Sequence, residues 1–219
     1  MSSESIAIDS LATRRFYDRI SRAYDFIADA SEHAIREQAL SALALTPGER
    51  VLDVGFGTGH ALTAMAERVG PSGCVCGIDI SGGMVSVARR RLLLQRQRRV
   101  QLVQADARSL CLRRDTFDAV FFSFTLELFG AAIPFVLREA QRVLRGGGRI
   151  GVVGLAESAD AGPITDLYVW LHRHLPHLID CTPTDFGRAI TNAGFKLGSV
   201  ETTTMWTLPV AVVVGHKAG

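Results

Sequence analysis

Five short runs rich in β-branched and aromatic residues, ERVLDVG, CVCGIDI, VQLVQAD, FDAVFFSF and RIGVVGL, punctuate residues 50–155, and the segments between them carry apolar residues at helical spacing. A strand that is apolar at nearly every position needs cover on both faces, which is the condition of parallel strands joined by crossover helices. The expected class is therefore α/β, doubly wound. Two later runs, KLGSVETTT and TLPVAVVVGHK, add closing strands and bring the sheet to seven, mostly parallel; Pro209 near the start of the last suits a strand beginning. A helix over residues 184–193 is predicted ahead of them, with Thr182 or Thr184 as N-cap and Gly194 as its stop. Ahead of the first strand, residues 10–45 read as helical until LTPGER breaks the pattern at Pro47 and Gly48. With no internal repeat and no linker, residues 1–219 form one domain: an N-terminal helical cap (1–46), a ligand-binding core (47–155), an insertion (156–195) and the closing strands (196–219).

Composition narrows the partners. A chain of 219 residues with 47% hydrophobic and 21% charged residues can bury a substantial core. Its formal charge of +2 is too mild for a nucleic-acid binder. Cys74, Cys76, Cys111 and Cys181 have neither metal-ligand spacing nor the density of a disulfide scaffold, so they read as reduced thiols in a cytoplasmic protein. Glu4, Asp9, Arg14 and Arg15 interrupt the N-terminus, leaving no apolar leader, and no apolar run is long enough to span a bilayer.

The turn after the first strand, VLDVGFGTGH, places Gly55, Gly57 and Gly59 at alternate positions. A dinucleotide fingerprint would be G-x-G-x-x-G, whereas here His60 follows Gly59 and the third glycine comes one residue early. A tight turn with no ligand is one reading. Asp53 favours another: a carboxylate at the strand end repels a pyrophosphate and attracts a cation. S-adenosylmethionine offers an ammonium and a sulfonium, and its adenosine half still requires close backbone approach. Asp79, at the end of the second strand, can accept from both ribose hydroxyls. Asp106, at the end of the third, is placed to accept from the adenine amino group, with a solvated turn aspartate as the alternative.

The order VLDVGFGTGH, GIDISGGMVSVARRR, VQADA, FDAVFFSFTLELF and AQRVLRGGGRIGVV resembles the Rossmann-like class I S-adenosylmethionine-dependent methyltransferases over roughly residues 45–155. More narrowly it is similar to the ubiquinone/menaquinone-biosynthesis methyltransferase group, whose N-terminal signature FYD (16–18) and AYD (23–25) resemble. The resemblance implies that Gly55, Phe56 and Gly57 meet the methionine end through backbone atoms with Asp53 beneath them, and that Asp79 holds the ribose. It further implies Ile80 or Met84 against the adenine, Asp106 and Ala107 about its amino group, and Ser123 near the methionine carboxylate or the reacting face. Tyr24, and less surely Tyr17, closes over the cofactor from the cap or serves as a core aromatic. The chain departs from the group in carrying Thr125, Leu126, Glu127 and Leu128 where an Arg-Asn pair is expected, a change that bears on the acceptor, and Gly146 where a proline is usual.

A sulfonium is an activated methyl donor, so the protein's main task is orientation, and a base is needed only for an acceptor that must lose a proton. His172, His174 and His177 in WLHRHLPH lie in the insertion expected to cover the acceptor, and His172 or His174 could act as base; Glu127 is a further candidate, with a helix-start or solvent role as its alternative. The histidine spacing matches no tetrahedral metal site, so no metal is expected. The run RRRLLLQRQRR, Arg89–Arg99, reads as the solvent face of a helix whose leucines pack on the sheet, or as a peripheral contact with an anionic membrane serving a lipid-like acceptor. The expected function is methylation of a small, apolar metabolite, quinone-, phenol- or lipid-like. The rivals are a nicotinamide-dependent oxidoreductase and a noncatalytic S-adenosylmethionine-binding regulator.

Overall fold

A computed structural model describes residues 32–157, 183–205 and 208–219. The expectations for Tyr17, Tyr24, His172, His174, His177 and Thr182 fall outside these residues. Seven strands form one sheet in the order β3-β2-β1-β4-β5-β7-β6. They are β1 (Arg50–Val54), β2 (Cys74–Asp79), β3 (Val100–Gln104), β4 (Phe117–Ser123), β5 (Leu144–Leu155), β6 (Lys196–Met205) and β7 (Leu208–His216). β1 to β5 pair in parallel, and β7 runs antiparallel to both β5 and β6. The doubly wound, mostly parallel sheet is the one that the apolar runs imply.

Alternation along the strands divides the core in two. Leu52 and Val54 of β1 face one side, against Val136, Leu137 and Ala140 of helix α4 (Ile133–Val143) and Phe186 and Ile190 of α5 (Phe186–Asn192). Val51 faces the other, against Leu40 of α1 (32–43), Leu62 and Met65 of α2 (His60–Val69), and Val85 and Leu92 of α3 (Gly82–Leu94). The cap helix is tied down at its C-terminal end by Arg149: Nε donates to the Leu43 carbonyl at 2.6 Å, while Nη1 and Nη2 hold the Glu49 carboxylate at 2.8 Å each.

Three expectations about local structure need correction. β5 begins at Leu144, not Arg149: Leu144 pairs with Phe117 before a bulge carries the register to Arg149 opposite Ala119. Gly147 at φ +73° and Gly148, where a Cβ would lie 2.9 Å from the Arg145 carbonyl, are what permit the bulge. The N-cap of α5 is Asp185, whose carboxylate accepts from the Arg188 N–H at 2.9 Å, leaving no capping role for Thr184. Of the three leucines in α3 only Leu92 packs on the sheet; Leu93 and Leu94 are 71% and 76% exposed, because a run of three consecutive residues spans more than one face of a helix.

Candidate functional site

Strand order reverses at β1, with β2 on one side and β4 on the other, which is where an open α/β sheet leaves a crevice at its carboxyl edge. The glycine turn occupies that crevice, and its three glycines answer to three different demands. A Cβ on Gly55, at φ +72°, would lie 2.1 Å from Thr125 Cγ2. Gly55 is thus the residue that lets β4's exit lie against the loop, where Thr125 Oγ1 is 3.1 Å from the Gly55 carbonyl and 2.8 Å from that of Ser123. Gly59 allows α3 to approach, since its Cβ would be 2.9 Å from Ala88 Cβ. Gly57 has φ +54°, and a Cβ there would meet nothing within 4 Å. Of the three, Gly57 alone has no described residue where its Cβ would stand.

Asp79 holds the loop in this form. Its Oδ2 accepts from Gly57 N–H at 2.9 Å and its Oδ1 from Ser81 N–H at 2.8 Å. A carboxylate offers about four acceptor sites in all, so it can serve several donors at once. Ser81, fully buried, caps α3 by accepting from Met84 N–H at 3.1 Å. The loop is braced from behind by Arg91, whose Nε donates to the Thr58 carbonyl at 2.9 Å and whose Nη1 lies 3.0 Å from His60 Nδ1. One arginine of the basic run therefore belongs to the site rather than to a solvated face.

Asp53 is in a different condition. It is 1% exposed, and among the described residues neither carboxylate oxygen has a hydrogen-bond partner. Burial pushes its pKa up to about 8, the nearby Asp79 charge adds to the rise, and the Arg36 charge opposes it. Near neutral pH the carboxyl is held largely protonated.

The remaining expected contacts are distributed unevenly. Ala105 N–H donates to the Asp79 carbonyl at 3.0 Å, which carries the chain after β3 past the end of β2 and sets Asp106 and Ala107 beside the loop. Both Asp106 oxygens already accept from Arg108, at 2.6 Å to Nη2 and 3.0 Å to Nε, so an adenine contact there uses the lone pairs left over. Burial alone would raise this carboxyl, but the Arg108 hydrogen bonds outweigh it and hold the pKa below the usual carboxylate range. Ile80 is half-buried at the loop, whereas Met84 is 2% exposed and Ala107 7%. The ring of Phe56 packs in the core over Gly77, where a Cβ would lie 2.6 Å from it, so a ligand meets Phe56 through its backbone. Ser123 ends β4, half-buried beside Thr125.

Glu127, in the 3₁₀ turn Leu126–Ala132, is not a solvent group: it is 1% exposed. Its Oε1 accepts from Leu155 N–H at 3.2 Å, Oε2 has no partner among the described residues, and Gly154 is bare where a Cβ would be 2.5 Å from the carboxylate. Burial raises its pKa to about 7 against the pull of backbone hydrogen bonds, and the Glu32 charge adds to the rise. His172, His174 and Tyr24 lie outside the described residues, which contain no cluster of three or more His, Cys, Asp or Glu able to hold a metal. Nor is any described helix long and apolar enough to cross a membrane.

Thr125 and Arg91 brace the glycine loop, and the Arg36 charge acts on Asp53; none of the three was among the residues expected to hold the ligand. Thr125 and Arg91 leave no pattern in the sequence; Arg36 leaves one, as an arginine four residues before Leu40 beside the apolar stripe Ile35, Ala39, Leu40, Leu43.

Comparison with known proteins bears on this geometry. A family profile described as a methyltransferase domain matches residues 51–148, from β1 to the bulge of β5. The chain is 33% identical over 156 residues to a demethylmenaquinone methyltransferase of Lactobacillus johnsonii, covering 69% of this chain and 63% of the relative. It is 34% identical over 134 residues to the aklanonic acid methyltransferase DauC of Streptomyces sp., covering 61% and 60%. The match thus spans less than two thirds of either relative's own length. Among solved structures, a SAM-dependent methyltransferase from Aquifex aeolicus superposes with a TM-score of 0.65 at 23% identity, over 83% of this chain and 88% of that one. The geranyl diphosphate C-methyltransferase of Streptomyces coelicolor A3(2) superposes with a TM-score of 0.70 at 13% identity, over 85% and 79%. These two likenesses establish the fold.

Proposed function

We propose that the chain, which is similar to methyltransferases in sequence and shares their fold, is a class I S-adenosylmethionine-dependent methyltransferase that transfers the methyl group of that cofactor to a small, apolar metabolite. The observation that carries the reading is Asp53: a buried carboxyl with no partner for either oxygen among the described residues, beneath a loop whose Gly57 none of those residues covers. Leaving such a group unsatisfied costs on the order of 1–3 kcal/mol, a cost removed when a cation arrives. An amino-acid ammonium complements that carboxyl in charge once its proton leaves, and a diphosphate does not. When bound, S-adenosylmethionine supplies an activated methyl on a sulfonium.

The protein's own residues then bind and orient. Asp79 has lone pairs for the ribose hydroxyls, Gly55 and Gly57 present backbone to the methionine end, and Ile80, Asp106 and Ala107 border the adenine. Orientation of acceptor and donor can contribute on the order of 7–11 kcal/mol, so no further group is required unless the acceptor must lose a proton. Glu127, His172 and His174 are the candidates for that role. The relatives' names, a demethylmenaquinone and aklanonic acid methyltransferase, support a quinone- or phenol-like acceptor. Exposed Leu93 and Leu94, set among the arginines of the 89–99 run, support a contact with an anionic bilayer that would bring a lipid-like acceptor near.

The test is calorimetry of the chain with S-adenosylmethionine and its demethylated product, followed by a screen of quinone, phenol and phospholipid acceptors for methyl incorporation. Binding of both nucleosides with turnover of one acceptor class is expected; binding of a nicotinamide dinucleotide in their place would overturn the reading. Salt-sensitive co-sedimentation with anionic vesicles is expected for the bilayer contact, and no sedimentation at low salt would remove it.

A further inference from the structure

Helices α4 and α5 pack on the same face of the sheet, Leu137 and Ala140 of the first and Phe186 and Ile190 of the second entering one core cluster. Away from that shared base they part. The gap is a cavity of about 670 Å³, within the span of roughly 300–1,000 Å³ that suits a small organic ligand. Its walls are two helix stripes. α4 contributes Pro134, Arg138 and Gln141, and α5 contributes Arg188, Ala189 and Asn192, spacings of three and four residues that place each set on one face of its helix. Ala189 and Ala193 are too short to close the gap, and with Ile133 they give it an apolar floor that continues into the core cluster.

The polar groups here differ from those on the neighbouring face of α4. There Arg142 is fully engaged, donating to Glu139 and to the carbonyls of Leu110 and Leu112 at 2.8 Å each. Arg138 and Gln141 on the cavity wall, and Arg188 and Asn192 across from them, make no side-chain hydrogen bond or ion pair with the described residues. Arg138 lies over the Phe135 ring, 5.4 Å from its centroid, which steadies the guanidinium without neutralising it. Asp185 is the one acid among the described residues lining the cavity, and its carboxylate is occupied by the Arg188 N–H that it caps. Cations therefore outnumber acids two to one.

We propose that this cavity binds an organic anion, a phosphate ester or carboxylate carried on an apolar body, at a site separate from the glycine crevice. The anionic head lies between the Arg138 and Arg188 guanidiniums, whose planar forks match the paired oxygens of either group. Gln141 and Asn192 offer amide donors beside it, and the apolar body rests on Ile133, Pro134 and Ala189. Asp185 repels the head from its own end, which sets the direction in which the ligand lies. The site shares no residue with the glycine loop. Its rim includes Gly130, at φ +47°, where the chain turns from the segment carrying Glu127 into α4, so an occupant adjoins the exit of β4.

The experiment titrates the full chain with 2-naphthyl phosphate and with 2-naphthoate by ligand-observed NMR, using inorganic phosphate as a probe that carries the charge alone. At least one naphthyl anion is expected to bind, more tightly than inorganic phosphate, and the one that does names the head group. Arg138→Gln and Arg188→Gln should each weaken it about fivefold, the upper end of what an exposed ion pair contributes, and the double variant about 10- to 30-fold. Both arginines are exposed, so neither change leaves a buried group unpaired. Arg113→Gln, as exposed but outside the cavity, should leave affinity unchanged, and saturating S-adenosylmethionine should not displace the anion. The proposal is overturned if neither anion binds, if the double variant binds as tightly as the unmodified chain, if Arg113→Gln weakens binding as much as the cavity variants, or if S-adenosylmethionine competes.

Discussion

The exits of β1 and β4 each bury a carboxylate, and the two differ in how far the protein itself satisfies them. At β4, Glu127 is half met: Oε1 takes the Leu155 N–H, Oε2 has no partner among the described residues, and Gly154 is stripped of a side chain to make room. At β1, Asp53 is unmet: among the described residues neither oxygen is bonded, an acid and a buried arginine stand near, and the loop above opens at Gly57. A carboxylate with a backbone hydrogen bond and room cut for it is held by the fold; one with neither depends more on what binds above it.

Five substitutions can break or sharpen that contrast. The largest effect is expected from Asp79→Ala, which removes both the ribose acceptors and the brace on Gly57 and Ser81 N–H. Cofactor affinity should fall by about 100-fold or more, the value of two charged hydrogen bonds, and near-normal affinity by calorimetry would remove Asp79 from the site. Next come the glycines, taken as a pair. Gly55→Ala meets Thr125 at 2.1 Å with φ +72° and should cost about 3–5 kcal/mol in chemical denaturation. Gly57→Ala meets no atom and should cost only about 1–2 kcal/mol for its φ, yet weaken cofactor binding. Equal destabilisation would erase the distinction between a packing glycine and a ligand-facing one.

Asp53→Asn should act in two directions. Cofactor affinity should fall by roughly 10- to 150-fold, while the cofactor-free protein should gain stability as pH rises. The sign follows from linkage: the folded protein binds this proton up to about pH 8 and the unfolded chain only to about 3.8. Stability contributed by the protonated carboxyl is complete below the lower value and is lost as pH climbs through the upper. Asparagine carries no such loss, so its melting temperature should overtake that of the unmodified protein towards pH 8, and parallel melting curves across pH 4–8 would contradict the burial argument. The smallest effect is expected from Glu127→Gln, which should leave cofactor affinity within about twofold. A fall in turnover with unchanged affinity would make Glu127 the base; an unchanged turnover would leave it structural.

Most of the sheet was legible because its signal is local and repeated. Apolar runs mark β1 to β5, and Asp53, Asp79 and Asp106 could be placed because they end such runs. What was not legible depends on contacts between distant segments. The bulge in β5 is written in glycines that read equally well as a turn. Thr125 acquires meaning only from Gly55, 70 residues away in sequence. Leu93 and Leu94 looked like core until the helix phase assigned Leu92 alone to the sheet. Arg91 was one of six arginines until α3 laid it against Thr58. Glu127 could be read as a base or as a helix-start or solvent group, since nothing nearby in sequence announces that Gly154 makes space for it.

Proton counting offers the sharpest check on the role of Asp53. The cofactor-free chain at pH 7 should be titrated calorimetrically with S-adenosylmethionine in two buffers of different ionisation heat. A carboxyl held protonated until a cation binds should release about one proton on binding, and affinity should rise with pH up to about 8. Binding with no proton exchanged would contradict that role.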